Sequence, residues 1–473
     1  MKLDFQTLPR GFALLGRTFL LLCITFATAV ADGVDEYIQK QMANQHIPGV
    51  AVAVVKDGRP VLLKGYGQAN AELGVQVTEN TVFQLASVTK QFTATGIMML
   101  VEEGKLSLDD KLPKFFDKLP AAWSNVTVRQ LLNHTSGIKS YTELPSFAKT
   151  LRQDFSKEAI IKMAADAPVD FAPGEKYGYN NTGYYLLGMM IEKVSGKEYG
   201  AFLNERIFQP LGMASTRLND LREVINLRAT GYVWEGGKLR HGEYVSPTQP
   251  FSAGALISTV TDLAKWDAAL YTEKLLKRAS LEQMWTPEKL NDGKPLTYGY
   301  GWNVEVYRTR KRVSHGGGIY GFSAFISRFV DDKLTVIVLS NLEGGSAARL
   351  ADGIAEFYLP ALAENAPKAI TDSDPKLTAF LKEVVTSIAK GESKLEWFTP
   401  EAQAFLFPDR IRQGKEIMGS RGPLTSFELQ EESIENGVRR RTYKAVFGDF
   451  ALRWGFSIAG DGKIASLSLR LVP

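Results

Sequence analysis

Short apolar runs that are typical of β-strands occur near both ends of the region from about residue 49 to 340. Gly49 to Val55 is an apolar run rich in valine, Asp57-Gly58 is a typical hairpin turn, and Val61 to Tyr66 continues beyond it. Similar runs return at Phe322 to Val330 and at Leu334 to Leu339. We predict that these distant segments assemble into one sheet.

The long stretch between these strands mainly follows the three-to-four-residue periodicity of helices. Gly104 and Gly196 can end the first two predicted helices, and Thr259 or Thr261 can cap the third. A closing helix is predicted from Ala347 to Leu362. The apolar stripes of the first three helices are Val88, Phe92, Met99 and Leu100; Tyr185, Leu186, Met189, Met190 and Val194; and Leu263, Trp266, Ala269 and Leu270. This order predicts a sheet with a helical insertion.

A second region with a different character follows. Residues 364–374 are polar and flanked by prolines, and we predict a linker over residues 363–374. Beyond it, a helical stripe runs from Leu377 to Ile388, and two strictly alternating strands are joined by Gly460-Asp461-Gly462. We therefore predict a separate small α+β domain over residues 375–473, with one helix packed on a curved antiparallel sheet.

The N-terminus has the pattern of a secretory signal. Three basic residues precede an apolar run from Phe19 to Val30, and Ala29 and Ala31 offer small side chains at the positions that a signal peptidase reads. We predict a signal peptide over residues 1–31, hence export across the inner membrane to the periplasm; a short membrane anchor is the alternative. The processed chain would lack Cys23, the only cysteine, and with it any disulfide or thiol nucleophile.

Length and composition describe a globular chain of two or three domains. The chain has 473 residues, of which 45% are hydrophobic and 23% are charged. Lys and Arg number 56 and Asp and Glu number 52, and the resulting charge of +4 is too even for a protein that binds nucleic-acid phosphates. We expect neither a nucleic-acid partner nor an integral membrane span in the processed chain, because no later apolar run reaches roughly 18 residues.

Several common catalytic motifs are missing from the sequence. It contains no G-x-S-x-G nucleophile elbow, no Walker loop, no G-x-G-x-x-G fingerprint and no H-E-x-x-H. The sequence has four histidines, His46, His134, His241 and His315. Their spacing is not that of metal ligands. We therefore expect no metal and no cofactor.

A Ser-x-x-Lys pair can supply a nucleophile and its base. Residues three apart at the start of a helix share one face, so the amine can reach the hydroxyl, and the helix N-terminus suits an oxyanion. The lysine pKa of about 10.4 would have to fall to roughly 7–8. Only Ser87, with Lys90, opens a long apolar-striped helix directly after an apolar segment. The other occurrences begin at Ser136, Ser146, Ser373 and Ser387.

Two further motifs follow in chain order. Tyr-x-Asn occurs once, at Tyr179 to Asn181; a tyrosine beside a lysine can share a proton relay, and an asparagine amide can orient a substrate carbonyl. His-x-Gly occurs once, at His315 to Gly317, where glycines on a strand let a ligand approach the backbone closely. Taken singly, each motif is better explained by a structural role, as a core tyrosine or as a glycine-rich turn.

Five segments, taken in order, carry a family resemblance: Phe83 to Lys90, Leu131 to Ile138, Pro173 to Leu187, Pro210 to Met213, and Ser252 to Trp266. They resemble the serine beta-lactamase-related family, which includes class C beta-lactamases, family S12 D-peptidases and family VIII esterases. The resemblance covers residues 32–362 and implies an α+β fold, with a beta-lactamase/transpeptidase-like antiparallel sheet flanked by helices and a helical subdomain. The C-terminal domain resembles small cystatin-like or NTF2-like modules.

The resemblance also implies a role for each matching residue. Ser87 would be the acylated nucleophile, Lys90 its base or proton shuttle, and Tyr179 the residue that passes a proton to the leaving group. The backbone N–H groups of Ser87 and Gly318 would form an oxyanion hole, in which one donor is typically worth about 10²–10³ in rate. The substrate-binding residues would be Asn181, His315, Gly317 and Gly318.

One departure from the family pattern shapes the functional prediction. Beta-lactamases and transpeptidases of this family usually carry Lys-Thr-Gly at the third motif, where the lysine attracts a substrate carboxylate. His315, mostly neutral at pH 7 with a reference pKa near 6.5, replaces that lysine. We therefore expect an exported serine hydrolase with an esterase-like preference, acting on an ester or amide that lacks an essential carboxylate.

Two alternatives share the same nucleophile motif. The first is a peptidoglycan D-peptidase or a weak beta-lactamase, which would act on peptides or cell-wall fragments. The second is a non-catalytic module that binds muropeptides or penicillin. An intact set of Ser87, Lys90 and Tyr179 argues against a purely binding role, but the motif does not separate the enzyme subclasses.

Overall fold

The chain forms two compact units, the first ending at Leu362 and the second beginning at Ala363. The structure is a computed structural model that describes residues 32–344, 346–419, 421–435, 437–448 and 450–471. The predicted signal peptide, residues 1–31, lies outside the described residues. No helix within these ranges is long and apolar enough to cross a bilayer.

A central antiparallel sheet organises the first unit. In chain order the strands of this unit are β1 (Gly49–Lys56), β2 (Arg59–Asn70), β3 (Val75–Gln76), β4 (Phe83–Gln84), β5 (Arg217–Leu218), β6 (Tyr232–Glu235), β7 (Lys238–His241), β8 (Leu256–Ser258), β9 (Asn303–Tyr307), β10 (Arg310–Ile319), β11 (Phe322–Phe329) and β12 (Leu334–Ser340). Among the described residues, seven of them pair in the spatial order β3-β2-β1-β12-β11-β10-β9, and two short antiparallel sheets lie outside this central sheet. The sequence-distant strands β1 and β12 are therefore neighbours at its centre, as the strand patterns predicted.

Helices account for most of the remaining chain in this unit. They are α1 (32–45), α2 (Thr89–Glu102), α3 (Val128–Leu132), α4 (Phe147–Thr150), α5 (Lys157–Ala165), α6 (Asn181–Ser195), α7 (Tyr199–Leu203), α8 (Gln209–Leu211), α9 (Phe251–Gly254), α10 (Val260–Ala269), α11 (Arg278–Met284), α12 (Ser346–Tyr358) and α13 (Pro360–Glu364). Single turns of tighter helix occur at Ala86–Val88, Leu112–Lys114, Ala121–Trp123 and Tyr141–Glu143, and a wider turn occurs at Asn204–Phe208.

The central strands are buried on both faces, which explains the continuous valine run of β1. Val50, Val52 and Val54 pack with α1 and α12 in one core. Ala51 and Ala53, on the opposite face, belong to the larger core that includes α2 and α10. A strand covered on both sides has an unbroken apolar sequence rather than an alternating one. The predicted α+β class, with an antiparallel sheet flanked by helices, is confirmed.

The ends of the predicted helices have clear physical causes. Gly196 closes α6 in the left-handed conformation, with φ of 70°, and the Thr259 side chain caps α10 by accepting a hydrogen bond from the Asp262 amide. The prediction of one closing helix from Ala347 to Leu362 was wrong. The structure has two helices there, α12 and α13, because Pro360 cannot donate the amide hydrogen bond that would continue the first.

The second unit has its own core and its own sheet. Its elements are α14 (Pro375–Lys390), a single helical turn at Leu395–Trp397, α15 (Pro400–Leu406), α16 (Asp409–Met418), β13 (Leu424–Glu435), β14 (Val438–Phe447), β15 (Phe450–Ile458) and β16 (Ile464–Leu471). The strands form an antiparallel sheet in chain order, and the apolar stripe of α14 belongs to the core that includes residues of this sheet. The prediction of a single helix in this domain was wrong, because α15 and α16 also contribute apolar side chains to that core. The residues predicted as a linker contact this unit, since the Ile370 amide donates to the Leu429 carbonyl at 2.8 Å.

Candidate active site

Ser87 lies at the junction between a strand and the central helix of the first unit. It sits in the single turn Ala86–Val88, directly after β4 and before α2. The preceding residue, Ala86, has a positive φ of 47°, a conformation that costs free energy in a non-glycine residue. Such strain occurs where the surrounding structure enforces a backbone geometry, and here it turns the chain immediately before the candidate nucleophile.

Lys90 lies within hydrogen-bond distance of Ser87 in a fully buried position. Its Nζ is 3.0 Å from Ser87 Oγ, 2.8 Å from Asn181 Oδ1 and 2.8 Å from the carbonyl oxygen of Ala253. The lysine is 0% exposed, and burial lowers its pKa well below the ordinary value. A neutral lysine amine has two N–H groups, which can donate to Asn181 Oδ1 and to the Ala253 carbonyl oxygen. The lone pair of Nζ would then face the Ser87 hydroxyl.

Tyr179 borders the same hydroxyl from the N-terminal end of α6. The centroid of its ring lies 4.8 Å from Lys90 Nζ. Burial raises the pKa of Tyr179 above the ordinary tyrosine value, and the neighbouring Ser87 hydroxyl lowers it in part. The residue is nevertheless 36% exposed, so part of the ring faces solvent. The raised pKa favours a neutral phenol at pH 7, which can give a proton.

Two asparagines fix the first turn of α6. Asn180 caps the helix by accepting from the Gly183 amide at 2.7 Å. Asn181 directs its side-chain oxygen to Lys90 and donates from Nδ2 to Thr142 Oγ1 at 3.0 Å. This pair of contacts distinguishes the amide oxygen of Asn181 from its nitrogen and holds the oxygen towards the buried amine.

His315 reaches the site from β10 but has both ring nitrogens engaged. Its Nδ1 lies 2.6 Å from the Gly316 carbonyl, which can only accept, so Nδ1 carries the ring hydrogen. Nε2 therefore accepts from the Tyr298 hydroxyl at 2.8 Å. Burial, followed by the charge of Lys90, lowers the pKa of His315 to about 3. The ring is thus neutral at pH 7 and offers no free nitrogen to a substrate.

His134 is a second buried neutral imidazole beside the site. Its Nδ1 accepts from the Asn180 amide at 3.0 Å, and its Nε2 has no hydrogen-bond partner in the part of the chain that the structure describes. Burial, then the charges of Lys90 and His315, lower its pKa well below the ordinary value. His134 thus ties the Leu131 to Ile138 segment to the start of α6.

These two histidines predict a loss of stability in acid. In the unfolded chain, His315 has an ordinary pKa of about 6.5 and binds a proton as the pH falls below that value. In the folded protein it stays neutral down to about pH 3. Protonation therefore favours the unfolded state, and the free energy of unfolding decreases as the pH falls. His315 alone should lower the free energy of unfolding by about 2 kcal/mol between pH 7 and pH 5. Urea unfolding at both values measures this loss.

A His315→Asn variant provides the control for the acid effect. Because asparagine does not titrate, the variant should lose about 2 kcal/mol less than the wild-type protein over the same pH range. An identical pH dependence in both proteins would contradict a buried neutral His315.

Glycines let β10 approach the backbone just before Ser87. A Cβ placed on Gly317 would lie 2.1 Å from the Leu85 carbonyl oxygen, so only glycine fits without movement of the backbone. Gly318 has open space around the equivalent position and lines the same cavity as Ser87. The close approach of Gly317 therefore brings the Gly318 backbone to the cavity that Ser87 faces.

The cavity beside Ser87 has a volume of about 460 Å³ and a largely apolar and aromatic wall. Ser87, Asn181 and Gly318 line it at the nucleophile end. Its other described lining residues are Ala86, Tyr141, Thr142, Phe147, Val245, Pro250, Ala253, Gly254, Ile319, Tyr320, Phe322, Glu343 and Gly344. A cavity of this size suits a small acyl group or a single amino-acid residue.

The predicted site residues therefore come together, with some neighbours that sequence reasoning missed. Ser87, Lys90, Tyr179 and Asn181 form one cluster, Gly317 lies against its backbone and Gly318 lines the cavity; His315 flanks them through Tyr298. The contacts made by Thr142, Tyr298 and the Ala253 carbonyl were not predicted. Ala253 lies within a segment that carried the family resemblance, but no motif indicated that its carbonyl meets Lys90. Among the described residues, no group of three or more His, Cys, Asp or Glu side chains is arranged for a metal.

A buried lysine beside a serine and a tyrosine, at the start of a helix and facing a strand of glycines, defines a serine hydrolase of the beta-lactamase type. Residues 34–359 match the sequence profile of the Beta-lactamase family, and the chain belongs to that family. The predicted resemblance is thereby confirmed, as are the beta-lactamase/transpeptidase-like fold and the assignment to a family of serine hydrolases.

Two curated proteins illustrate the similarity, and one of them is named a penicillin-binding protein. The chain is 34% identical over 322 residues to Penicillin-binding protein 4* of Bacillus subtilis (strain 168), covering 64% of this chain and 70% of that protein. It is 24% identical over 323 residues to Protein flp of Staphylococcus aureus (strain N315), covering 67% of this chain and 64% of that protein. The chain thus spans about two thirds of the length of these relatives.

Solved structures extend the similarity. The octameric penicillin-binding protein homologue from Pyrococcus abyssi has a TM-score of 0.64 and 26% identity, covering 94% of this chain and 96% of that chain. D-amino acid amidase from Ochrobactrum anthropi SV3, complexed with L-phenylalanine amide, has a TM-score of 0.62 and 26% identity. That similarity covers 71% of this chain and 98% of the amidase.

Proposed function

We propose that the protein hydrolyses a small ester or amide through an acyl-enzyme on Ser87, with an esterase-like preference. The observation that carries the proposal is the buried contact between Lys90 Nζ and Ser87 Oγ at 3.0 Å, with no acidic side chain among the hydrogen-bond partners of the lysine. A lysine in that setting is held towards its neutral form, which is the form that accepts a proton from a serine.

The steps follow from the positions of the three groups. Neutral Lys90 takes the Ser87 proton as Oγ attacks the substrate carbonyl carbon, and the N–H groups of Ser87 and Gly318 stabilise the resulting oxyanion. Tyr179 gives its proton to the leaving oxygen or nitrogen as the bond to the acyl carbon breaks, and it regains a proton from Lys90. Water then attacks the acyl carbon and gives a proton to Lys90, and Lys90 passes this proton to Ser87 Oγ as the bond between Oγ and the acyl carbon breaks. This step releases the acid and restores the Ser87 hydroxyl and the neutral Lys90.

This division of labour predicts an unequal effect of Tyr179→Phe. An amide leaving group must be protonated, whereas p-nitrophenolate leaves without a proton. The variant should therefore lose about 10²-fold in kcat/KM for an acyl p-nitroanilide and much less for the p-nitrophenyl ester of the same acid. Steady-state kinetics on the matched pair measure the difference.

Tyr177→Phe is a matched control for this variant, because Tyr177 is a neighbouring tyrosine whose ring packs against His134 and Tyr298. It should leave the ratio of amide to ester turnover unchanged. Equal losses for both substrates in Tyr179→Phe would instead make Tyr179 the general base.

The charge of the cavity supports a substrate without an essential carboxylate. Among the described lining residues none is cationic, and the one charged side chain is Glu343. His315, which stands where a lysine would attract a carboxylate, is neutral and fully engaged with Tyr298 and Gly316. A carboxylate on the substrate would therefore meet no compensating charge in this wall.

A second candidate is hydrolysis of an amide or peptide, including cell-wall peptides. The names of the relatives favour it, since they include a D-amino acid amidase and a D-stereospecific amidohydrolase from Streptomyces sp.. The catalytic groups would be the same, and only the acyl and leaving groups would differ. The predicted signal peptide over residues 1–31 supports export to the periplasm, where cell-wall fragments would be available.

The test is to treat the full chain with a fluorophosphonate, measure its intact mass, and assay p-nitrophenyl butyrate and nitrocefin in parallel. One adduct that maps to Ser87, with ester cleavage exceeding nitrocefin cleavage, is the expected result. An adduct with dominant nitrocefin turnover would move the assignment to a beta-lactamase or D-peptidase. No adduct would leave a binding module as the better account.

A further inference from the structure

Glu343 places a negative charge in the wall of the active-site cavity. It follows the central strand β12 in sequence and lines the cavity together with Ser87. Among the described lining residues it is the one acidic side chain, and none of the others is basic. A single carboxylate in such a wall favours a positively charged ligand over a neutral or negatively charged one.

One of its two carboxylate oxygens is held by the protein. Oε2 accepts a hydrogen bond of 3.1 Å from the Gly321 amide, in the turn that joins β10 to β11. The backbone is also fixed, since the Glu343 amide donates to the Tyr232 carbonyl at 2.9 Å. Oε1 has no hydrogen-bond or ion-pair partner among the residues that the structure describes. The carboxylate is thus positioned by one oxygen while the other remains able to accept.

Aromatic and apolar side chains line the cavity together with this carboxylate. Phe147, Tyr320 and Phe322 line the same space. Aromatic faces together with a carboxylate form a favourable environment for an organic cation. The pKa of Tyr320 is raised by burial first and then by the charges of Glu343 and Glu243, which indicates that the negative charge is felt in this part of the wall.

We propose that Glu343 binds an ammonium group of the substrate, so that the enzyme prefers amine-bearing esters or amides over neutral ones and rejects carboxylates. The inference rests on the proposed acyl-enzyme function and names the substrate class for that site. A free amino group on the acyl part or on the leaving group would pair with Oε1, while the rest of the substrate would fill the apolar wall. Amino-acid esters and amides are compounds of this class that fit a cavity of about 460 Å³.

The test uses substrates that differ only in charge. Phenylalanine p-nitroanilide, its N-acetyl form and its N-succinyl form carry positive, neutral and negative charge on the same acyl group, and both D and L series are assayed. Butyrylcholine and 3,3-dimethylbutyl butyrate make the same comparison for the leaving group. In at least one series the wild-type enzyme should favour the cation by about 10-fold in kcat/KM, as expected for one partly exposed charge pair.

Glu343→Gln is the decisive variant because glutamine keeps the shape and can still accept from the Gly321 amide. The ratio of kcat/KM for the cationic and neutral substrates should fall by about 10-fold in this variant. Glu205→Gln is the matched control, since it removes the same charge from a residue that pairs with Lys197 and does not line the cavity. That ratio should stay unchanged in the control.

A readout without mutation is inhibition of the wild-type enzyme by phenethylamine and 3-phenylpropionate, of which the amine should bind more tightly. No preference for cations in either series, or a preference that survives in Glu343→Gln, would overturn the inference while leaving the proposed function intact. Failure of the wild-type chain to react with a fluorophosphonate would overturn the acyl-enzyme itself.

Discussion

Replacement of Ser87 by alanine should lower kcat/KM for p-nitrophenyl butyrate by at least about 10⁴-fold, since removal of a serine nucleophile leaves only the binding and oxyanion contributions. The same variant should lose the fluorophosphonate adduct completely. The fold should persist because the Ser87 hydroxyl contributes hydrogen bonds only to the catalytic groups around it. Intact mass and initial rates on the same preparation measure both effects.

A matched control for this prediction is another serine of the Ser-x-x-Lys pattern. Ser387, with Lys390, lies on α14 in the second unit, and its buried hydroxyl has no hydrogen-bond partner among the described residues. Ser387→Ala should keep both the adduct and the turnover. Esterase activity that survives in Ser87→Ala would show that a different residue attacks the substrate.

Replacement of Lys90 by methionine should lower kcat/KM by about 10³–10⁴-fold, at the upper end of what a general base contributes. Methionine keeps the length of the side chain but removes the amine that contacts Ser87, Asn181 and the Ala253 carbonyl. The rate of fluorophosphonate labelling should fall in parallel, because that reaction also needs an activated Ser87. Time courses of adduct formation provide the measurement.

The pH profile gives a second signature of Lys90. Burial lowers its pKa, so the wild-type rate should rise with pH as the amine loses its proton and should level off well below pH 10. In Lys90→Met this ascending limb should disappear. Lys139→Met is the control, since Lys139 belongs to a second Ser-x-x-Lys pair but contacts Glu143 and Asp170 at the surface. Retention of the ascending limb in Lys90→Met would assign it to another group.

Strands, helix ends and helix caps could be predicted from sequence where neighbouring residues in the chain determine them. The valine run of β1, the Gly196 end of α6 and the Thr259 cap of α10 each depend on nearby residues, and each was found as predicted. The break at Pro360 was missed because the apolar periodicity continues across it. The order of the strands within the sheet depends on pairing between distant segments, which periodicity alone does not specify.

In the candidate site, contacts between residues close in sequence could be predicted, whereas contacts between distant residues could not. The spacing of Ser87 and Lys90 gives their contact directly, since both lie at the start of one helix. Tyr298, by contrast, meets His315 only because β9 and β10 bring the surrounding chain together, and no motif precedes it. The neutral state of His315 agrees with the expectation from sequence, whereas the engagement of both ring nitrogens required the structure.

The pairing of β1 with β12 also has a consequence for the order in which the protein is made. During translation, Ser87, Lys90 and α2 are synthesised early, whereas β10 and Glu343 are synthesised much later. Strand β1 cannot pair with its neighbour β12 until β12 has been synthesised. Contacts between such distant segments form slowly because a long loop must first close. A nascent chain would therefore carry Ser87 without the opposite wall of the cavity, so we expect hydrolytic activity only after nearly all of the first unit has been translated.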